Sequence, residues 1–348
     1  MQVNLVQAVQ GFIIFQSTFL VFYLINKNRA AAKISIHFMI ALLTLLGVHM
    51  LNNLLNYYHV HFIFRRLTCV FGYLYGPFFL GYIRGLMYQD FKLKRVDALH
   101  LLPTFLSLGL SLSNPQFCQR WSFLILISIG IYQIVAFVQI IQYRKILKNT
   151  RANFQHIDFA WVWQILLFFI AIFGADFLGA FYKYTEILTF LLLLGFVNLL
   201  VYKGLKHSSA FGGITLSDHQ NLAIQLPVQQ EVSPPQNLQK LLEFMQQAQP
   251  FLNPDINLQQ LADEVGIPAR EISQMINQHL QQNFSEFINN YRIEMAKQRL
   301  ENPQDSKETV QEVMYDVGFN SKSVFNTYFK KKTGMTPTQY KLKVKNEK

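Results

Sequence analysis

Seven stretches of about 20 mostly apolar residues fill most of the first 206 positions. The hydrocarbon core of a bilayer is about 30 Å thick, and a helix of about 20 residues crosses it with every backbone group satisfied internally. The sequence therefore predicts an all-α chain that begins with a polytopic bundle of transmembrane helices. The fourth stretch is the weakest, because it is short and contains Pro103. The stretches are Leu5 to Ile25, Ile34 to Leu55, Phe62 to Leu86, Val96 to Leu112, Trp121 to Tyr143, Phe159 to Tyr182 and Ile187 to Tyr202.

Buried helices of a water-soluble protein are the alternative explanation of these stretches. Such helices carry polar stripes at helical spacing. The residues from Ile165 to Phe173 and from Leu188 to Leu200 are apolar on nearly every side, which favours the membrane. The first stretch is too long for a cleavable signal peptide, and Lys27 and Arg29 follow it instead of preceding it. We expect it to be a retained span.

The basic residues are distributed unevenly along the chain. The part before Pro235 holds 17 Lys and Arg against 7 Asp and Glu, and the rest holds 14 against 13, so nearly all of the net charge of +11 lies in the apolar half. Basic loops stay preferentially on the cytoplasmic side. With seven spans and the N-terminus outside, the outer segments hold Arg65, Arg66, Arg120 and Lys183, and the cytoplasmic segments hold Lys27, Arg29, Lys33, Arg84, Lys92, Lys94, Arg95, Arg144, Lys145, Lys148, Arg151, Lys203 and Lys206.

This asymmetry predicts that the C-terminal part of the chain lies in the cytoplasm; for a bacterial chain, the membrane would be the inner (cytoplasmic) one. It also means that the high net charge by itself does not indicate nucleic-acid binding. Removing the fourth span would put two basic clusters on opposite sides of the membrane, so seven spans fit the charges better than six.

A few polar residues lie in or beside the predicted spans, where they are costly and often functional. The candidates for sensing a signal are Asp176, Glu186, Arg65 and Arg66. The same outward-facing pocket would include Asn52, Asn53, His49, His59 and His61. Alternatively, Asp176 pairs with an arginine and packs two helices together. The histidines lack metal-ligand spacing, so no metal site is predicted, and Cys69 and Cys118 are either free thiols or one disulfide near the outer face.

Apolar residues become sparse from position 207 to 236, where Gly, Ser and Pro are frequent. Such a composition forms a poor core and suits a flexible tether. The sequence therefore divides into a transmembrane sensor domain over residues 1–206, a linker over residues 207–236 and a third domain over residues 237–348.

A helix-turn-helix pattern runs from Asn257 to Ile276 in this third domain. The motif needs a small residue where its two helices meet, here Ala262, and a turn residue that tolerates a left-handed backbone, here Gly266. The apolar residues that would lock the two helices together are Leu261, Val265, Ile267, Ile272 and Met275.

The same pattern recurs 52 residues later, where the segment from Asp316 to Phe319 repeats the segment from Glu264 to Ile267. Between the two units, the residues from Phe284 to Leu300 have the apolar spacing of a helix. Each unit presents its second helix to a major groove, and two units on one face of DNA lie about one turn, roughly 34 Å, apart.

The run from Asn257 to Tyr340 resembles the C-terminal DNA-binding domain of AraC/XylS-type transcription regulators, over about a quarter of the chain. The matching residues are Phe284 to Ile293, Ala296, Leu300, Val317 to Ser323, Phe325, Phe329, Lys330, Thr333 to Pro337 and Tyr340. The resemblance implies a seven-helix domain that binds asymmetric or directly repeated promoter sites. It also implies an effector that binds outside this domain, here in a membrane, as in the membrane-integrated members.

Carrying over the base-reading positions of that family gives candidate residues in both second helices. Arginine reads guanine, and glutamine or asparagine reads adenine. The lysines after the second set are expected to bind phosphates, which position a protein without specifying sequence. The candidates are Arg270, Ser273 and Gln274 in the first unit, Lys322, Ser323, Asn326 and Thr327 in the second, and Lys330, Lys331 and Lys332 for phosphates. Lys341, Lys343 and Lys345 belong either to the phosphate set or to a disordered basic tail.

Three positions depart from the family pattern. Gln281 replaces a common glycine and predicts a strained turn. Met314 replaces a small alanine, which predicts an altered helix angle in the second unit, and Thr327 replaces an arginine that would contact DNA. The second unit is therefore expected to bind DNA more weakly than the first.

These features together predict a membrane-embedded one-component transcription regulator whose DNA binding is controlled by a signal at the transmembrane domain. The expected partners are double-stranded promoter DNA, membrane lipid, an unknown small-molecule or envelope signal, and RNA polymerase if the chain is an activator. A homodimer is left open. No cofactor is predicted, and an enzyme is not expected because phosphate loops, nucleophile elbows and zinc signatures are missing from the sequence. The alternative is a transporter or anchor protein with an autoregulatory DNA-binding tail.

Overall fold

The computed structural model describes residues 5–27, 34–58, 68–88, 90–114, 116–121, 123–152, 160–179, 185–206, 235–303 and 308–347. Within these residues the regular secondary structure is helical, apart from isolated bridge positions such as the pair Arg151 and Asn257. The predicted all-α class is therefore confirmed. The predicted linker falls almost wholly outside the described residues, and the helix after it begins at Pro235.

Each of the seven apolar stretches overlaps a helix. The fourth stretch forms a 3-10 helix over Arg95–Leu101 that passes into an α-helix next to Pro103. A short helix over Phe117–Trp121 follows, which the sequence did not predict. The helices are α1 (Leu5–Lys27), α2 (Ile34–Tyr57), α3 (Thr68–Met87), α4 (Leu102–Ser113), α5 (Phe117–Trp121), α6 (Phe123–Thr150), α7 (Ala160–Gly179) and α8 (Thr185–Lys206).

Four helical segments among the described residues are long and apolar enough to cross a membrane. They are Leu5–Asn26, Ile34–Tyr57, Arg95–Ser113 and Phe123–Thr150, which correspond to the first, second, fourth and fifth predicted spans. The total of seven spans stays a prediction.

Helix α3 is largely buried, and its glycines face bulky neighbours. A Cβ atom added at Gly81 would overlap the Phe38 ring, and one added at Gly76 would overlap the Tyr132 ring. Substituting either glycine would therefore force the neighbouring aromatic ring to move. These glycines leave room on α3 for the Phe38 ring of α2 and the Tyr132 ring of α6.

The side chains of the predicted sensing residues lie outside the described part of the chain. Arg65 and Arg66 are outside it altogether, as are His59 and His61. Asp176 lies in α7 and Glu186 lies in α8, but only their backbone is described.

The three other predicted members of the pocket, His49, Asn52 and Asn53, are described, and Asn53 is half-buried. Asn52 is buried, and His49 Nδ1 lies 3.1 Å from the hydroxyl of Tyr75. The predicted sensing pocket as a whole remains untested.

The C-terminal domain, described over residues 235–303 and 308–347, has the seven α-helices that the resemblance implies. They are α9 (Pro235–Gln247), α10 (Leu258–Val265), α11 (Ala269–His279), α12 (Phe284–Glu301), α13 (Val310–Asp316), α14 (Lys322–Thr333) and α15 (Pro337–Asn346). Two hydrophobic clusters hold the domain together, one around the first helix-turn-helix and one around the second. Met295 of α12 packs against both clusters.

The chain divides into two compact units. The first contains Met1–Ile141 and Asp158–Leu216, and the second contains Gln142–Ile157 and Ser217–Lys348. The segment Gln142–Ile157 therefore groups with the C-terminal helices, whereas the sequence division assigned it to the membrane half. Helix α6 is continuous across this boundary.

Candidate nucleic-acid interface

The first helix-turn-helix is fixed by local hydrogen bonds at both ends of α10. The Asn257 side chain accepts a hydrogen bond from the Gln260 backbone N–H, and the Gln260 side chain accepts one from the Asn257 backbone N–H. This capping box satisfies two donors that the start of a helix leaves unpaired. The helix ends at Gly266, whose φ of 69° is left-handed, as the sequence predicted. The predicted locking residues Leu261, Val265, Ile267, Ile272 and Met275 are all buried.

The second helix of this unit, α11, has one buried face and one polar face. Ile272, Met275 and Ile276 are buried in the first hydrophobic cluster. Arg270 is exposed and Gln274 is half-buried, and they are four residues apart, so they lie on the same side of the helix. Gln278 continues this row and is exposed, although it was not among the predicted residues. Its spacing of four residues from Gln274 was the signal that could have identified it.

The structure does not support Ser273 as a base-reading residue. Its side chain is 2% exposed, because it lies on the buried side of α11 beside Ile272 and Ile276. The Asn277 side chain donates hydrogen bonds to the Ser273 backbone carbonyl at 2.7 Å and to its hydroxyl at 3.3 Å. Ser273 therefore belongs to the core of the domain and is not available to read a base.

The second helix-turn-helix pairs α13 with α14. Thr309 and Glu312 form a capping box at the start of α13, and Ser321 caps α14. The buried side of α14 consists of Val324, Phe325, Tyr328 and Phe329. All the predicted contact residues of this helix lie away from that side: Lys322, Ser323, Thr327, Lys330 and Lys331 are exposed, and Asn326 is half-buried.

Exposed lysines extend from the end of α14 into α15. Lys331 lies 3.6 Å from Glu286, and Lys332 lies 3.6 Å from Glu294, so two of these ammonium groups also have carboxylate neighbours on α12. Lys341, Lys343 and Lys345 lie on helix α15, which continues to Asn346. The alternative of a disordered basic tail is therefore wrong.

The three departures from the family pattern have different structural outcomes. Gln281 adopts a left-handed φ of 54°, which confirms the predicted strain in its turn. Met314 is 2% exposed and forms part of the second hydrophobic cluster. The Thr327 hydroxyl donates a hydrogen bond to the Ser323 carbonyl of its own helix at 2.8 Å. The predicted weaker DNA contact of the second unit remains a prediction.

A buried arginine connects the two helix-turn-helix units. The sequence did not single it out. Arg292 of α12 is 0% exposed and donates hydrogen bonds to the carbonyls of Phe251 at 2.7 Å and Asn253 at 2.8 Å. Its guanidinium lies over the Phe319 ring of the second unit, 5.5 Å from the centroid. Burial lowers the pKa of Arg292 to about 10, which leaves it charged at neutral pH.

Comparisons with known proteins agree with this geometry. Residues 261–343 match the family described as "Helix-turn-helix domain". A protein of Pseudoalteromonas carrageenovora, named as an uncharacterized HTH-type transcriptional regulator in the cgkA 5' region, is 36% identical over 87 residues. The match covers 25% of this chain and 49% of the relative, so it spans about half of the relative's length. No solved structure is significantly similar to the chain.

Residues 261–343 thus match a helix-turn-helix domain, and the relative is named as a transcriptional regulator. The two second helices of this domain each place a polar row opposite a buried apolar side. Arginine, glutamine, asparagine and lysine in these rows are the residue types that contact base edges and phosphates in double-stranded DNA.

Proposed function

We propose that this chain is a membrane-embedded one-component transcription regulator. In this proposal the N-terminal helices lie in the inner membrane and respond to a signal, and the C-terminal domain binds promoter DNA on the cytoplasmic side. The observation that carries the proposal is the presence, in one chain, of a double helix-turn-helix domain and of helices long and apolar enough to span a bilayer.

The exposed side chains of the N-terminal helices support the membrane part of the proposal. Phe12, Phe15, Phe19 and Phe22 of α1 are each more than half exposed. Ile127, Ile131 and Ile134 of α6 are also more than half exposed. Apolar surface of this extent is unusual on a soluble monomer and marks a membrane or protein contact. Lipid tails would cover it without cost.

The base-reading part of the proposal assigns sequence recognition to Arg270 and Gln274 in the first unit and to Lys322, Ser323, Asn326 and Thr327 in the second. Lys330 and Lys331 would bind phosphates. Two recognition helices in successive major grooves require half-sites about 10 base pairs apart. The expected footprint is therefore two protected segments on one face of the duplex.

Footprinting with the full-length chain in lipid nanodiscs tests the proposal. Genomic fragments that the chain retains at about 0.15 M salt would be recovered, sequenced and footprinted, because electrostatic non-specific binding is weakened at that salt. We expect protection of two half-sites in a small set of promoters. Uniform protection of all fragments, or retention of none, would contradict the proposed function.

A further inference from the structure

The chain that follows α6 contributes to the core of the first helix-turn-helix unit. Ala152 is 0% exposed and belongs to the same hydrophobic cluster as Leu261 and Phe284. Its backbone N–H donates to the Ile256 carbonyl at 3.5 Å, and Arg151 forms an antiparallel bridge with Asn257. Asn257 is the residue that caps α10, so this two-residue segment lies against the start of the helix-turn-helix.

The Ala152 carbonyl accepts hydrogen bonds from two buried side chains of α12. Ser285 Oγ donates at 2.8 Å, and Asn289 Nδ2 donates at 3.2 Å. Both side chains are 0% exposed, so each would be costly to leave without an acceptor. This carbonyl also fixes the direction of the Asn289 amide, because its NH₂ group points toward Ala152 and Ser285.

The other end of the Asn289 amide faces the buried arginine. Arg292 Nη1 donates to Asn289 Oδ1 at 3.2 Å, while Arg292 also holds the Phe251 and Asn253 carbonyls and covers the Phe319 ring. Arginine has only donors, so only the oxygen of the amide is compatible with it. A row of contacts thus runs from Ala152 through Asn289 and Arg292 to the turn of the second helix-turn-helix.

Helix α6 leads directly to Ala152. The helix is continuous over Phe123–Thr150, and the Arg151 N–H still donates to the Leu147 carbonyl at 2.9 Å. Ala152 is therefore the second residue beyond a helix of 28 residues, most of which belongs to the N-terminal unit. Each residue of such a helix is hydrogen-bonded to the residue four positions away, so the helix has no break between its two ends.

We infer that α6 and the Arg151–Ala152 segment carry the signal of the proposed regulator to its second helix-turn-helix unit. The inference rests on the proposed function, since it supplies the route between the transmembrane domain and DNA. Moving the Ala152 carbonyl releases the Asn289 amide. If the amide turns, its NH₂ group meets the Arg292 donors, and the arginine and Phe319 must shift. The second unit then changes its orientation relative to the first.

Hydrogen exchange of the full-length chain in nanodiscs tests this route without DNA. Ala152→Asp places a charge in the buried site, and Gln142→Asp adds the same charge at an exposed position of α6. Amide exchange reports local opening. We expect Ala152→Asp to speed exchange across residues 310–333 by at least about tenfold, whereas Gln142→Asp changes it less than about twofold.

A milder variant covers the case in which Ala152→Asp fails to fold. Ser285→Ala removes one hydrogen bond to the Ala152 carbonyl and keeps the apolar packing. We expect faster exchange in the same residues by about two- to tenfold. Faster exchange confined to residues 256–261 and 284–289 in both variants would overturn the inference, because the disturbance would then stop at the first unit.

Footprinting of the same variants separates this inference from the proposed function. We expect Ser285→Ala to lose protection at the half-site of the second unit while the half-site of the first unit stays protected. Equal loss at both half-sites would mean a general loss of folding and would overturn the inference. If the wild-type chain protects no specific DNA while the exchange result holds, the proposed function fails and the structural route remains.

Discussion

The polar row of α11 provides the sharpest prediction at the scale of single residues. Arg270 and Gln274 are one helical turn apart and face away from the hydrophobic cluster. If they read bases, Arg270→Ala and Gln274→Ala should each weaken specific binding by about 1–3 kcal/mol, because a bidentate contact to a base edge is lost. Affinity for an unrelated duplex should barely change. Titration of the full-length chain with both DNAs measures the difference.

Lys330→Ala is the matched control for these two variants. Lys330 is exposed near the C-terminal end of α14, where a phosphate contact is expected. Its loss should weaken binding to both DNAs equally and reduce the dependence of log affinity on log salt by about one. Equal losses on both DNAs for Arg270→Ala would show that this arginine contacts phosphate instead of a base.

At the scale of elements, the turn of the second helix-turn-helix is more constrained than its sequence indicates. Gly318 has a φ of 91°, and a Cβ atom there would lie 2.7 Å from the Phe251 carbonyl oxygen and 2.8 Å from that of Leu252. The left-handed backbone costs a non-glycine residue about 1–2 kcal/mol. The collision adds to this, so Gly318→Ala should destabilise the domain by more than about 3 kcal/mol in total.

Gly334 provides the comparison within the same unit. Its φ of 76° is also left-handed, but a Cβ atom there would meet nothing within 4 Å. Gly334→Ala should therefore destabilise the domain only by the cost of the left-handed backbone, about 1–2 kcal/mol. Urea unfolding of both variants, followed by hydrogen exchange in α13 and α14, measures the two costs. Similar losses for the two glycines would mean that the contact between Gly318 and the Phe251 segment contributes little.

Most helices of the C-terminal domain begin at caps that can be recognised in the sequence. Asn257, Asn283, Thr309 and Thr336 each form a capping box with a Glu or Gln three residues later. Such a box satisfies two backbone donors locally, and it does so whatever lies farther along the chain. The starts of these helices are therefore predictable without the tertiary structure.

At the scale of the whole molecule, the proposed topology predicts which residues face each side of the membrane. In a background with Cys69→Ser and Cys118→Ser, a cysteine at exposed Gln116 should be labelled by an impermeant maleimide in intact spheroplasts. A cysteine at exposed Thr338 should be labelled only after lysis. The reason is the excess of lysine and arginine in the segments predicted to be cytoplasmic.

Both cysteine variants serve as controls for each other, because lysis should make their labelling equal. Labelling of Thr338→Cys in intact spheroplasts would mean that the orientation in the membrane is opposite to the proposed one. The DNA-binding domain would then lie outside the cytoplasm, away from the DNA. Labelling of neither before lysis would indicate an even number of spans between the two positions or a location away from the membrane surface. The first result would contradict the proposed function, and the second would contradict the proposed seven-span topology.

Local patterns were sufficient for much of the fold. Apolar runs and helical periodicity predicted the helices, and Gly266 and Gly318 marked both turns, because these features depend on residues within a few positions of each other. The strained turn at Gln281 was predictable for the same reason. Spacing alone did not separate Ser273 from Gln274, since which side of α11 is buried depends on the helices that pack against it.

The sequence by itself determined the all-α class, the two helix-turn-helix units and most of the polar residues that they expose. Only the tertiary structure decided that Ser273 is buried, that Arg292 connects the two units, and that Ala152 enters the first hydrophobic cluster. Ala152 and Ser285 are 133 positions apart and meet through a single backbone carbonyl. Such a contact leaves no periodic pattern in either segment. Every residue has a backbone carbonyl, so the residue type at position 152 carries no signal, and only the folded chain brings this carbonyl to Ser285.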